Sequence, residues 1–121
     1  MNAAAPLASL LLLAAGAAHG SQPTDAAGCA HWSALFRQVA TDRDTGVPEA
    51  LERQKLGAII GADQRRPEPY LVRDADDEFY LWITVEEIYE HAWYTPSKIE
   101  AMITDECLAR IERAKAPKSQ G

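Results

Sequence analysis

The sequence lacks the short motifs through which many enzymes and cofactor-binding proteins hold their substrates. It has no Cys-x-x-Cys pair and no glycine-rich loop of the kind that cradles phosphate groups. Ser33, Thr41 and Ser97 stand in no nucleophile elbow and have no recognisable base partner. These absences predict a protein that is not an enzyme and that needs no cofactor.

Positive charge is also scarce in this sequence. Its 121 residues include 12 Lys and Arg against 18 Asp and Glu, which gives a formal net charge of −6 at pH 7. An acidic chain without a basic stripe is a poor match for nucleic acid or for an anionic membrane surface. A protein partner remains open, and so does the absence of any partner.

The beginning of the chain is free of charged side chains as far as Asp25. An apolar stretch at residues 7–15 is followed by the small residues 16–20, a pattern that predicts a cleaved signal peptide over residues 1–20. Cleavage after Ala18 or after Gly20 fits, and Gly20 is favoured. A membrane anchor is the alternative, but the apolar run is too short to span a bilayer, so no stable span is expected after cleavage.

Only two cysteines occur, and each lies in an apolar stripe of a predicted helix. Cys29 falls in a stripe with Trp32 and Phe36, and Cys107 falls in one with Ile103 and other apolar residues. Two exported, core-facing cysteines predict a disulfide rather than a redox or metal site. This bond would join the first helix to the last and stabilise the domain by about 4–5 kcal/mol.

Residues 21–121 are predicted to form a single all-α domain of four helices. Apolar residues that recur every three or four positions place these helices near residues 29–42, 48–61, 78–93 and 96–114. Thr95 is the expected N-cap of the last helix. The third helix has the widest apolar surface and is expected at the centre. An irregular loop is predicted at 62–77 and a flexible tail at 116–121.

The sequence gives only weak support for a metal site on the third helix. Glu87 and His91 are four residues apart on one helix face, a spacing at which a carboxylate and an imidazole can share a metal ion. The same spacing is common in solvated helix pairs, and no second histidine follows on that face. The expectation is therefore that no metal is bound.

Aromatic and acidic residues on the third helix are the candidate contacts with a partner. Most aromatic side chains should be core, but this helix and its exit carry more of them than a small core needs. Tyr80, Trp93 and Tyr94 are the candidate anchors. The candidate acidic residues, which would steer a partner, are Asp76, Asp77, Glu86, Glu87 and Glu90.

The order of several motifs resembles a broad set of small, exported helical proteins of Gram-negative bacteria. The pattern consists of Cys29, an amphipathic helix, Arg43-Asp44-Thr45-Gly46, Tyr89, Thr95-Pro96 and Cys107. Some proteins with a similar plan are immunity proteins that neutralise amidase effectors of the type VI secretion system in the periplasm. The resemblance implies a periplasmic binding protein that acts as an immunity-type inhibitor of a periplasmic effector. A periplasmic acid-stress chaperone and a structural protein are the alternatives, and the oligomeric state is open.

Overall fold

A computed structural model of the chain describes Pro23 and residues 25–115. The four helices are α1 (Ala26–Asp44), α2 (Glu49–Gln64), α3 (Ala75–Glu90) and α4 (Pro96–Lys115), and the described residues contain no β-strand. The predicted all-α domain of four helices is therefore confirmed. The expected leader (1–20) and tail (116–121) lie outside the described residues.

Helix α1 begins and ends where its local sequence favours a boundary. Oδ1 of Asp25 accepts a hydrogen bond from the backbone N–H of Gly28 at 2.8 Å, which caps one of the unpaired amides at the start of the helix. After the helix, Gly46 has a φ of 97°, a left-handed conformation that glycine adopts without a steric penalty. Both boundaries follow from short-range chemistry.

Helix α1 is the centre of the fold, and α3 is not. It packs against each of the other three helices, and most extensively against α4. Trp32, Phe36 and Val39 on its inner face are almost fully buried. The expectation for α3 was wrong because part of its wide apolar surface faces solvent, as the 61% exposure of Phe79 shows.

The disulfide between Cys29 and Cys107 joins α1 to α4, as predicted. Their Cα atoms are 5.7 Å apart, and both side chains are buried beside Ile111. One turn further along, the hydroxyl groups of Ser33 and Thr104 are hydrogen bonded at 2.6 Å. Disulfides persist mainly in oxidising compartments, so the bond points to an exported protein. Among the described residues, no helix has the length and hydropathy that crossing a membrane requires.

The ends of α2 and α3 differ from the predicted ones. Helix α2 continues past Gly61 to Gln64, so that the following loop covers only residues 65–74. Helix α3 begins three residues before Glu78, because Oδ1 of Asp74 accepts a hydrogen bond from the backbone N–H of Asp77 at 3.0 Å. It also ends three residues before the predicted end, at Glu90.

Candidate functional site

A short turn between α3 and α4 displays the most exposed tryptophan of the described residues. We call residues 91–94 the aromatic corner, because they include His91, Trp93 and Tyr94. His91 and Tyr94 are buried, whereas Trp93 is 56% exposed. The corner therefore places one large aromatic side chain on the surface and anchors itself with the other two.

Arg43 of α1 holds the aromatic corner from inside the domain. Its side chain is only 6% exposed, and its guanidinium donates hydrogen bonds to the carbonyl oxygens of Ile88 (2.8 Å), His91 (3.3 Å) and Tyr94 (2.7 Å). Oδ1 of Asp44 accepts a further bond from Nε at 2.9 Å. The last carbonyl groups of a helix have no partners within the helix, and the planar guanidinium supplies several donors at once. Arg43 thus caps α3 and fixes the turn.

Trp93 is held in place although it is exposed. Its ring meets the ring of His91 edge to face, with centroids 4.8 Å apart and an interplanar angle of 87°. The ring of Trp93 also lies beside that of Tyr94, with centroids 6.2 Å apart. An aromatic side chain fixed in this way loses little conformational entropy when a partner covers it.

Tyr80 and Tyr94 are not surface anchors, which corrects the expectation from the sequence. Tyr80 is 4% exposed and stacks on Trp32 with ring centroids 5.0 Å apart, and its burial raises the pKa of its hydroxyl. Tyr94 is equally buried, and the pKa of its hydroxyl is raised by burial and by the negative charge of Glu87. Both rings belong to the packing of the domain.

The candidate acidic residues also include both exposed and buried side chains. Asp76, Glu86 and Glu90 are exposed on α3, and Glu87 is half-buried. Asp77 is almost completely buried, and its Oδ2 accepts a hydrogen bond from the backbone N–H of Arg73 at 3.0 Å. Asp77 therefore organises the start of α3 and is not available to steer a partner, which corrects its assignment.

Glu87, Glu90 and His91 come together at the end of α3. One potential donor atom of each residue lies within 4.8 Å of those of the other two. The sequence pattern singled out Glu87 and His91 as a pair. The structure adds Glu90 and places the group directly beside Trp93.

A second surface feature lies between α1, α2 and the loop 65–74. It is an open groove of about 420 Å³, and we call it the loop groove. Its lining residues are His31, Ala34, Leu35, Ile59, Asp63, Arg66, Tyr70 and Leu71. The ring of Tyr70 is stacked on His31 at 4.0 Å between centroids, and the guanidinium of Arg66 lies 4.2 Å from the centroid of the same ring.

Asp63 holds the loop beside this groove. Its two carboxylate oxygens accept hydrogen bonds from the backbone N–H groups of Tyr70 and Leu71, each at 2.9 Å. The side chain of Asp63 is buried. The segment 70–72 is irregular, as predicted for this loop, and its Leu71 and Val72 enter the core.

A buried carboxyl pair lies where the end of α1 meets α2. We call Asp42, Glu52 and Lys55 the acidic junction. Oδ2 of Asp42 is 2.8 Å from Nζ of Lys55, and Oδ1 accepts a hydrogen bond from Gln38 at 2.8 Å. Burial alone would raise the pKa of Asp42, but the hydrogen bonds from Lys55 and Gln38 outweigh it, so that this pKa is lowered.

Glu52 is the second carboxyl group of the acidic junction, and its pKa is shifted in the opposite direction to that of Asp42. It is 2% exposed, its Oε1 has no hydrogen bond, and Nζ of Lys55 is 3.8 Å away. Burial, and next the interaction with Asp42, raise the pKa of Glu52 to about 7. The pKa values of the two carboxyl groups are therefore shifted in opposite directions, and Glu52 is the one that protonates more readily. No pattern in the sequence distinguished Glu52 or Asp63 from ordinary charged helix residues, and Arg43 was noted only as part of the Arg43–Gly46 motif, with no role assigned to its side chain.

Comparison of the chain with protein-family models, with curated proteins and with solved structures found no match. The function therefore has to be inferred from the residues of this chain, and the resemblance to small exported helical proteins stays a prediction.

Proposed function

We propose that the protein is exported to the periplasm and acts there as a non-enzymatic binding protein, in the manner of an immunity-type inhibitor of a periplasmic effector. The observation that carries the proposal is the exposed but fixed indole ring of Trp93 at the aromatic corner. Tryptophan is among the residues that contribute most binding energy when a partner buries them. The disulfide agrees with an oxidising compartment.

The position of Trp93 reduces the entropic cost of binding. Its neighbour His91 is buried, and Arg43 holds the carbonyl groups on either side of the turn. Because the backbone is already ordered, a partner does not have to order it. The partner is expected to offer a pocket for one indole ring.

Charge around the corner indicates the chemistry of that partner. Glu86 and Glu90 are exposed on the last turns of α3, in a chain with a net charge of −6. Acidic residues around an aromatic anchor favour a basic rim on the partner and accelerate the encounter at low ionic strength. A basic effector surface with an apolar pocket fits both features.

The proposal is tested by capture of partners from a non-reducing periplasmic extract, with the captured proteins identified by mass spectrometry. A single stoichiometric partner is expected on the wild-type protein. Its affinity should fall by about 2 kcal/mol or more, or roughly 30-fold, in Trp93→Ala. Glu86→Gln should mainly slow association and weaken its salt dependence.

Phe79→Ala is the matched control, because Phe79 is an equally exposed aromatic residue on α3. It should leave the affinity unchanged. If the partner binds Trp93→Ala as tightly as the wild-type protein, the assignment of the aromatic corner is wrong.

An acid-stress chaperone is the less favoured alternative. Such a protein is expected to expose apolar surface when the pH falls. Glu52 has the opposite effect. Because its pKa is raised in the folded state, its protonation makes the folded protein more stable as the pH falls from about 7 to 4.5. Binding of a hydrophobic dye that rises steeply in this pH range would favour the chaperone instead.

A further inference from the structure

We propose that the loop groove is a binding site for a peptide segment of another protein that presents a carboxylate beside an apolar side chain. The groove is lined by α1, α2 and the loop 65–74, and its lining contains none of the residues of the aromatic corner. The proposal therefore does not depend on the function assigned to Trp93. It rests on a cation that is held in place without an acidic partner, and on the apolar side chains beside that cation.

Arg66 supplies the cation of the loop groove. Its guanidinium carbon is 4.2 Å from the centroid of the Tyr70 ring, and within the part of the chain that the structure describes, its side chain has no ion pair or hydrogen bond. Arg37, which is also exposed, is by contrast paired with Glu100. The N–H groups of a guanidinium point outward in its plane, so a guanidinium that lies over an aromatic ring keeps them available for a bidentate contact with a carboxylate.

Tyr70 holds this cation in a fixed position. Its ring is stacked on that of His31, with centroids 4.0 Å apart and an interplanar angle of 20°. Its carbonyl oxygen accepts a hydrogen bond from Nε1 of the buried Trp32 at 3.0 Å, and its backbone N–H donates to Asp63. The ring that carries Arg66 is therefore already ordered before a partner arrives, which lowers the entropic cost of binding.

The charges around the groove favour an anion. Among the described residues that line it, Asp63 is the only acidic one, and both of its oxygens accept hydrogen bonds from backbone N–H groups of the loop. The exposed imidazole of His31 offers a further N–H donor beside Arg66. In a chain with a net charge of −6, the loop groove is thus a place where a carboxylate is attracted.

Apolar side chains form the rest of the site. Leu35, Ile59 and Leu71 line the groove together with Ala34, and Ile59 is 43% exposed. Removing this apolar surface from water favours an apolar occupant. The volume of about 420 Å³ lies at the lower end of the range of about 300–1,000 Å³ for ligand sites, so it suits a short segment. The C-terminal residue of a peptide is the simplest such occupant, because it carries a carboxylate and a side chain on one Cα atom.

Two-dimensional amide NMR of the isotope-labelled, disulfide-bonded protein tests the proposal. The probe is acetyl-Ala-Ala-Leu with a free C-terminal carboxylate, and the same peptide with a C-terminal amide is its neutral counterpart. The free acid should shift the amide resonances of Tyr70 and Leu71 in a saturable manner. It should bind at least about ten-fold more tightly than the amide, since the amide loses a charge-assisted hydrogen bond to Arg66.

Variants of the two neighbouring arginines locate the contact. In Arg66→Gln the free acid and the amide should bind alike, and because Arg66 is exposed, this variant is expected to fold normally. Arg65→Gln is the matched control, since Arg65 is an exposed arginine beside Arg66 that does not line the groove, and it should stay within about two-fold of the wild type. Trp93→Ala should also bind the free acid as the wild type does, which separates this site from the aromatic corner.

Two further probes define the occupant. Acetate lacks the apolar side chain and should bind at least about ten-fold more weakly than the tripeptide. Tighter binding of acetyl-Ala-Leu-Glu-amide than of the tripeptide would support the proposal and assign the groove to an internal acidic segment. The proposal is overturned if the free acid and the amide bind the wild-type protein equally, if acetate matches the tripeptide, or if Arg66→Gln binds the free acid as tightly as the wild type.

Discussion

Two connections between helices, the aromatic corner and the loop 65–74, are held by buried charges of opposite sign. At the corner, the cation Arg43 donates to three backbone carbonyl oxygens. In the loop, the anion Asp63 accepts from two backbone N–H groups. Their exposed charges are also opposite, because the corner is flanked by Glu90 and the loop contains Arg66.

The difference follows from which backbone groups each connection leaves unpaired. The corner follows a helix C-terminus, where carbonyl groups lack partners, and a guanidinium meets this need. The loop turns back into the core at residues 70–72, where amide N–H groups need an acceptor. In both places a buried charge orders a connection, and a surface-exposed aromatic or cationic group is displayed beside it.

The largest expected effect is the loss of stability when the disulfide is removed, and it should not alter the conformation of either connection. Removing the disulfide in Cys29→Ala/Cys107→Ala should lower the free energy of unfolding by about 4–5 kcal/mol, since the bond closes a long loop in the unfolded chain. Urea unfolding measures this loss. The conformations of the corner and the loop should both persist in the folded fraction.

The exposed Leu108, next to the disulfide, provides the control for that experiment. Leu108→Ala should stay within about 0.5 kcal/mol of the wild-type protein. A loss below about 1 kcal/mol in the double cysteine variant would contradict the importance of the link between α1 and α4.

Two substitutions should show that the aromatic corner and the loop 65–74 are stabilised independently of each other. Arg43→Met removes the guanidinium from three carbonyl groups, of which only that of His91 is known to keep another donor, the backbone N–H of Tyr94, and should cost about 3 kcal/mol. Asp63→Asn keeps one acceptor and should cost about 1–2 kcal/mol. Amide hydrogen exchange should show loss of protection near residues 91–94 in the first variant and near residues 70–71 in the second. Equal effects on both segments in either variant would show that the connections are not independent.

Glu52 offers a contrast to both connections, because its buried carboxyl group has no comparable set of donors. Its folded-state pKa of about 7 is above the ordinary value of 4.5, so its contribution to stability is complete below about pH 4.5 and is lost as the pH rises through 7. Glu52→Gln should therefore be more stable than the wild-type protein at pH 8, by about 2–3 kcal/mol.

The measurement is a series of urea unfolding curves between pH 5 and pH 8. The wild-type protein should lose stability over this range, and Glu52→Gln should show a flatter profile. Glu49→Gln, which changes a more exposed glutamate of the same helix, is the control and should follow the wild type. Parallel profiles for Glu52→Gln and the wild type would mean that Glu52 does not titrate in this range.

The helices and the disulfide could be predicted because their signals are local or repeat along the chain. Apolar residues at helical spacing identified all four helices, and Thr95 was correctly expected to cap α4, where its Oγ1 accepts a hydrogen bond from the backbone N–H of Lys98 at 3.1 Å. The ends of α3 were misplaced by three residues. Its start depends on Asp74, and its end depends on Arg43, which is 45 residues away from Ile88 in the sequence.

The candidate site was only partly predictable, because the burial of its residues also depends on segments that are distant in the sequence. Tyr80, Trp93 and Tyr94 looked alike as aromatic residues of one segment, yet only Trp93 is exposed. The periodicity of a helix says that a face is apolar but does not say what covers it. Glu90 could not be assigned to the cluster with His91 until the end of α3 was known.

The sequence by itself determined the four helices, the link between α1 and α4, and the acidic character of the chain, because periodicity, capping and charge are properties of neighbouring residues. The tertiary structure alone decided which charges are buried and which backbone groups they satisfy. Nothing in the sequence indicates the buried roles of Arg43, Asp63 and Glu52. They acquire their roles only when packing removes water and leaves specific groups from distant segments as their partners.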